Sequence, residues 1–214
     1  EEQYAVTASY LEIYNENVFD LLNKPDKLAE HLIIFEDVNK DKFKVKNQTK
    51  VKVESLEEVQ KVLKYGETNR RYAETYFNHK SSRSHTIFTI HIKYMKYSGE
   101  EASYIKESVL NFVDLAGNER LMYEYKSRGG KEEAVKSSQS RPRSKSPMSE
   151  FYDPNSKNQR LAESKHINKS LFFLTQVIYL CSKGKTAAHV PFRNSPLTKI
   201  LRSSFGGKSR TLLI

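Results

Sequence analysis

A short apolar run, Val109–Val113, ends on Asp114, and Gly117 and Glu119 follow at fixed offsets in VLNFVDLAGNER. A carboxylate at the end of a buried strand is held still by the apolar residues before it. A glycine three residues on lets bare backbone N–H approach an anion with no Cβ in the way. Nucleotide-hydrolysing sites place a magnesium-directed carboxylate in this manner. Asp-x-x-Gly alone is weak, because an ordinary strand-to-loop turn accounts for it equally well.

A second segment adds to the first. Asn78–His85 reads NHKSSRSH and runs into Thr86–Tyr94, TIFTIHIKY. Phe88, Ile90, Ile92 and Tyr94 fall on one face of the predicted strand, and Ile87, Thr89, His91 and Lys93 on the other. Ser81, Ser82 and Arg83 therefore lie in a polar loop just ahead of a strand. Serine hydroxyls suit a magnesium site or an oriented water, and arginine is a bidentate partner for carboxylate or phosphate. By itself SSRS reads better as a Ser-rich turn or a kinase target.

Further elements follow from periodicity. Gln3–Tyr14 reads as a strand ending in the polar turn Asn15–Asn17, and Leu32–Phe35 and Phe43–Val53 as further strands. Ser55 and Glu58 form a capping box, and Leu56, Val59 and Leu63 give a helical stripe up to Gly66. Ile167, Leu171, Leu174, Ile178 and Cys181 mark a long amphipathic helix. Ser195-Pro196 caps and starts another helix, with Leu197, Ile200 and Leu201 inward and Gly206-Gly207 as its stop. Strands alternate with helices, so the predicted class is α/β. Residues 121–160 are the exception. They hold eight serines and nine Lys/Arg against five Asp/Glu, too little apolar surface to offset ordering entropy, and are expected to be a disordered basic insertion.

Composition narrows the function. The net charge of +10 implies a polyanionic partner. No nucleic-acid motif occurs, and aromatics are not interleaved with the basic clusters. No apolar stretch approaches the ~18–20 residues of a membrane span. One cysteine, Cys181, forbids an internal disulfide and fits a reducing compartment. The six histidines show no metal-ligand spacing.

Together the two segments resemble the nucleotide switches of the kinesin motor domain. The first switch, Asn-x-x-Ser-Ser-Arg-Ser-His, is present as Asn78, Ser81, Ser82, Arg83, Ser84 and His85. The second, Asp-Leu-Ala-Gly-x-Glu, is present as Asp114, Leu115, Ala116, Gly117 and Glu119, with Asn118 where Ser is commoner. Ser9–Leu22 is similar to a family stretch ahead of the switches, and His166–Ile178, His189–Leu201 and Phe205–Thr211 to stretches after them, in the same order. The resemblance implies a kinesin-type P-loop NTPase fold, a central mixed sheet flanked by helices. Residues 1–214 would be a partial motor domain, the C-terminal two-thirds, incomplete at both ends. The family's phosphate loop, G-x-x-x-x-G-K-[S/T], does not occur in this sequence. Gly207-Lys208-Ser209 is a decoy, since Arg202 stands where the first glycine belongs.

The resemblance also implies roles. ATP and Mg2+ would be the ligands, with Asn78, Ser82, Asp114 and Gly117 at the nucleotide. Ser82 would meet magnesium directly and Asp114 through water. Ser81 would hold the attacking water, Gly117 N–H would bond the γ-phosphate, and Arg83 and Glu119 would close the site with a salt bridge. The polyanionic partner becomes the microtubule, met by Lys42, Lys44, Lys46, Lys165, Lys169, Arg193 and Lys199, while Pro196 removes a usual lysine. The expected function is an ATP-dependent microtubule motor of the cytoplasmic cytoskeleton, the full-length protein a homodimer through a stalk outside this chain. This fragment alone is expected to be inactive. A natural protein without the phosphate loop would instead be a non-catalytic microtubule-binding module.

Overall fold

A computed structural model describes residues 2–37, 42–77, 81–98, 101–117, 154–184, 189–205 and 209–214. Its frame is set by β1 (Glu2–Tyr14), β7 (His85–Ser98) and β8 (Glu101–Asp114). β1 pairs antiparallel with β7 from Glu2↔Lys96 to Ile13↔His85, and β7 with β8 from Thr86↔Asp114 to Ser98↔Glu101. The other edge of β1 is shared by β2 (Asn17–Asp20) and β6 (Val51–Lys52), and β3 (His31–Leu32) continues from β2. β4 (Ile34–Asp37) and β5 (Lys42–Val45) form a separate hairpin. Every strand pair among the described residues is antiparallel, where a mixed sheet was expected.

Local chemistry explains where the strands stop. Asn15 and Glu16 take φ of 51° and 65°, the two left-handed positions of a tight hairpin turn. The strand expected over Phe43–Val53 is broken at Asn47, φ 59°, into β5 and β6, which join different sheets. The strand expected over Leu32–Phe35 likewise splits at Ile33 between β3 and β4.

Helices cover both sheet faces. α1 (Leu56–Phe77) packs Val59 and Val62 on the Tyr10 and Phe88 side. α2 (Pro154–Ser182), α3 (Pro196–Ile200) and α4 (Arg202–Phe205) lie on the other side, where Leu174, Leu197 and Leu201 meet Leu11, Ile13 and Ile87. Ile34 and Val45 attach the β4–β5 hairpin to this second core. The alternation read in Thr86–Tyr94 thus feeds two cores, Ile87 one and Phe88 the other. Ser195 caps α3 in a reciprocal capping box with Thr198. Ser55 Oγ accepts from Glu58 N–H at 3.2 Å, but the Glu58 carboxylate reaches Glu54 N–H, one residue earlier than the motif expects. Of the segment 121–160, residues 154–160 are the first turns of α2, and 121–153 lie outside the described residues. Gly206-Gly207 lie outside them too, and 209–214 pair with no described strand.

Two expectations are corrected. Val109–Val113 is not a buried strand here. Val109, Leu110, Phe112 and Val113 are all exposed, because β8 is the sheet edge among the described residues; between them only Asn111 is half-buried, its amide reaching Ser204 Oγ of α4 at 3.1 Å. Gly66 does not end α1; it lies inside it, and Leu56 and Leu63 of the expected stripe are exposed. The helix instead turns Gly66 towards the buried Tyr10 ring, which a Cβ there would strike, with Leu22 Cδ2 a further 3.4 Å contact. The Tyr10 hydroxyl donates to Glu67, and burial and then that bond push Tyr10 up to about 12.

Gly66→Ala in a complete motor domain should therefore destabilise, by about 1–3 kcal/mol of overpacking, although alanine is the better helix former. A urea midpoint equal to or above the wild type would show that the Tyr10 ring has room to move.

Candidate functional site

The register that sets Thr86 opposite Asp114 brings two loops out at one end of the sheet. Ser81–Arg83 is a single 3-10 turn just ahead of β7, and residues 115–117 follow β8. They touch through backbone: Gly117 N–H donates to the Ser82 carbonyl at 3.0 Å. A Cβ on Gly117 would meet nothing nearer than that carbonyl oxygen, at 3.8 Å. Packing therefore does not demand glycine here.

Ser82 and Gly117 are exposed, and the Asp114 side chain is 71% exposed. A hydroxyl and a carboxylate open to solvent at one end of the sheet are hard oxygen donors of the kind Mg2+ takes when phosphate oxygens and waters complete its shell. No group of three or more His, Cys, Asp or Glu that could hold a metal occurs among the described residues. The donor set thus fits Mg2+ brought with a phosphate ligand and not a dedicated protein cage. Arg83 is half-buried. Asn78 and Glu119, and the side chain of Ser81, lie outside the described residues.

The acid at the end of β8 has a partner the sequence did not single out. Arg70, on the inner face of α1 and 7% exposed, places Nη1 3.5 Å from Asp114 Oδ2 and 3.9 Å from Glu67 Oε1. Its Nε lies 4.0 Å from Glu12 Oε1, and Glu12 is 2% exposed. One guanidinium thus serves three carboxylates and ties α1 to the Asp114 loop. The signal was present: Val59, Val62, Gly66 and Asn69-Arg70 continue one helical stripe, and polar residues on such a stripe must be satisfied inside. Asn69 confirms the face, donating to the Leu21 carbonyl at 2.7 Å.

His85 is the second anchor. Its Nδ1 accepts from Ala116 N–H at 3.0 Å, and its Nε2 lies 2.7 Å from Ser170 Oγ on α2. Burial pushes His85 down to about 4 against the opposing pull of the Asp114 charge, so the ring is neutral at pH 7.

The basic residues fall on elements that pack together. Lys42, Lys44 and Lys46 lie on or beside β5, Lys165 and Lys169 on α2, and Arg193 and Lys199 at α3; all but the half-buried Lys199 are exposed. Three are held by acids: Lys44 by Asp37 at 2.5 Å, Lys169 by Glu16 at 2.7 Å, and Arg193 by both oxygens of Glu36 at 2.8 and 3.0 Å. Arg202 adds a bond to Glu36 at 3.1 Å. Arg193, then Arg202, hold the Glu36 carboxyl below the usual carboxylate range. Glu36 thereby fastens the β4–β5 hairpin to the segment around α3, a role no sequence pattern announced. No helix among the described residues is long and apolar enough to cross a membrane.

The family model described as "Kinesin motor domain" matches residues 1–140 and 149–214. Kinesin-like protein klpA of Emericella nidulans is 35% identical over 99% of this chain and 23% of its own length. Kinesin-like protein KIN-7L of Oryza sativa is 37% identical over 100% of this chain and 28% of its own. Among solved structures, a fast kinesin, described for its ATPase mechanism and interactions with microtubules, superposes with a TM-score of 0.69 at 36% identity, covering 98% of this chain and 49% of that one. The motor domain of the Kar3-like kinesin from Ashbya gossypii gives 0.65 at 31%, covering 99% and 51%. The chain thus spans about half the length of these structures and under a third of these curated relatives.

Arg70→Gln should destabilise a complete domain by ~3–5 kcal/mol, the cost of leaving a buried charge without its partner. Glu12→Gln added to it should recover part of the loss. Thermal unfolding of the single and double variants checks this, and a neutral single variant would show that Arg70 is not structural.

Proposed function

This chain belongs to the kinesin motor-domain family, and on that premise we propose that it is the switch-bearing part of an ATP-driven microtubule motor. The observation that carries the reading is the Gly117–Ser82 hydrogen bond. It joins the two switch loops through the one N–H that the family resemblance directs at the γ-phosphate.

The donor has two competing acceptors in this reading. Without a γ-phosphate, Gly117 N–H rests on the Ser82 carbonyl. With one, it turns to the phosphate and the bond between the loops opens. Two discrete arrangements of a loop, biased by one ligand atom, are what a nucleotide switch requires. Ser82 and Asp114 would hold Mg2+, Asp114 through water, and that ion would neutralise charge on the phosphates. By the family resemblance Asn78 would line the nucleotide, Ser81 would orient the attacking water, and Arg83 would pair with Glu119 to exclude solvent. Phosphoryl transfer needs positioning and charge stabilisation more than covalent chemistry, and these side chains supply it once a phosphate loop completes the domain. The protein works in the cytoplasm on the microtubule cytoskeleton, as a homodimer through a stalk beyond this chain.

Track binding falls to Lys42, Lys44, Lys46, Lys165, Lys169, Arg193 and Lys199, on elements sharing one core with the switch-linked helix α2. The ion pairs at Lys44, Lys169 and Arg193 are surface pairs worth ~0–1 kcal/mol each, so an acidic protein surface can compete for these cations.

In a complete motor domain Gly117→Ala should lower microtubule-stimulated ATP turnover at least about a hundredfold, as for loss of one oriented donor, while the thermal midpoint stays put because a Cβ has space. Wild-type turnover in that variant would remove Gly117 from the mechanism. Absence of turnover in the wild-type complete domain would leave a microtubule-binding module.

Co-sedimentation with microtubules should weaken steeply as salt shortens the screening length to ~8 Å at physiological strength. Neutralising Lys42, Lys44 and Lys46 together should cost more affinity than neutralising Lys24 and Lys27. Equal losses would mean that net charge alone attracts the track.

A further inference from the structure

We infer that His85 is a positioning residue: its imidazole ties the Asp114–Gly117 loop to α2 and is the fixed point about which Gly117 changes acceptor. The inference rests on the switch reading above and goes beyond it, because it names the physical link between nucleotide loop and track-side helix.

The direction of the link is set by its two ends. Ala116 N–H can only donate, so the Nδ1 it meets at 3.0 Å carries no proton. The ring proton is then on Nε2 and is given to Ser170 Oγ at 2.7 Å. The Ser170 hydroxyl keeps its own proton for the Ile167 carbonyl at 2.8 Å. Each atom has one role, so the chain Ala116–His85–Ser170–Ile167 cannot reverse. Both side-chain members and the residue that donates to them are buried: His85 3%, Ser170 2% and Ala116 6% exposed. A donor or acceptor freed at such depth costs ~1–3 kcal/mol, so the chain holds together or opens as a unit.

Its position gives it consequence. Ala116 immediately precedes Gly117, whose N–H bonds the Ser82 carbonyl. His85 opens the strand that leaves the Ser81–Arg83 turn. One ring therefore touches the second switch and α2 while belonging to the first. Alongside it lies a cavity of about 10 Å³, bordered by Asn15, Arg83, His85, His166 and Ser170. The directed hydrogen bonds through the ring thus join the loop to α2 at this point. When Gly117 swings to a phosphate, a fixed Ala116 converts the swing into a pull on α2 instead of letting the loop slide free.

The test uses a complete motor domain and three variants. Ser170→Ala cuts the link at the helix. His85→Asn keeps an acceptor near the Nδ1 position for Ala116 but is too short to reach Ser170. Ser170→Thr retains the hydroxyl and serves as the rescue. Ser170→Ala and His85→Asn should each lower microtubule stimulation of ATP turnover about tenfold, as expected for one buried hydrogen bond. In Ser170→Ala, which lies outside both switches, basal turnover and affinity for a fluorescent ADP should stay within about twofold. The double variant should be no worse than either single, and Ser170→Thr should restore stimulation. A second readout needs no turnover. Hydrogen exchange at the Ala116 amide should quicken about tenfold in Ser170→Ala, since the ring loses its far anchor. Unchanged exchange together with unchanged stimulation, or additive losses in the double variant, would overturn the role of His85. If the wild-type domain shows no turnover at all, the motor reading fails, and the exchange measurement alone decides whether His85 ties the loop to α2.

Discussion

The antiparallel register of β7 on β8 is the constraint on which everything else depends. Because Thr86 lies opposite Asp114, the turn entering β7 and the loop leaving β8 emerge side by side. A slip of one residue would send every side chain of one strand to the opposite face. Ile87 and Phe88 would exchange cores and Gly117 would lose the Ser82 carbonyl. The register is held from both sides, since β7 is also zipped to β1 along twelve residue pairs from Glu2↔Lys96 to Ile13↔His85. Two apolar cores on opposite faces then fix the sheet, and both switch loops inherit that precision.

The Asp114–Gly117 segment is gripped from each face of the sheet by different chemistry. Arg70 of α1 holds the acid by charge, shared with Glu12 and Glu67. His85 holds Ala116 by a directed hydrogen bond and passes the connection to α2. The free hand is Gly117, whose N–H is the next donor along and is neither crowded nor buried. The loop is thus held by side chains at Asp114 and Ala116, while Gly117 is joined to the Ser82 turn by a single backbone hydrogen bond. The fixed points limit where it goes, and the absent Cβ leaves space for whichever acceptor is bound.

Electrostatics outside the site follows a related economy. The excess positive charge is large, yet Lys44, Lys169 and Arg193 are engaged by acids on neighbouring elements. Glu36, held by Arg193 and Arg202, pins the β4–β5 hairpin to the α3 side of the core. These cations thus hold the basic elements in place relative to one another. Such exposed pairs exchange partners at little cost, so a basic surface can be ordered without being neutralised.

Much of this was legible in the chain. Period-two alternation located β7, Ser195-Pro196 located the start of α3, and the two switch motifs marked the loops that the sheet brings together, because each is a matter of neighbours in sequence. Other features were not legible. The long stretch Phe43–Val53 reads as one strand, but a left-handed Asn47 divides it between two sheets, a choice made by the available partners. Val109–Val113 reads as buried, but burial depends on what covers β8, and among the described residues its four apolar side chains stay exposed. Gly66 reads as a helix stop, but the approach of Tyr10, 56 residues earlier in sequence, makes it a contact inside the helix. Arg70, His85 and Glu36 show the same limit, since a polar side chain acquires its role from partners that only folding brings within hydrogen-bonding range. The sequence by itself determined the alternation of β7, the cap of α3 and the motif residues of the two loops, because those rest on local sterics and periodicity. Tertiary structure alone decided which N–H met which acceptor, because hydrogen bonds are made at about 3 Å between residues far apart along the chain.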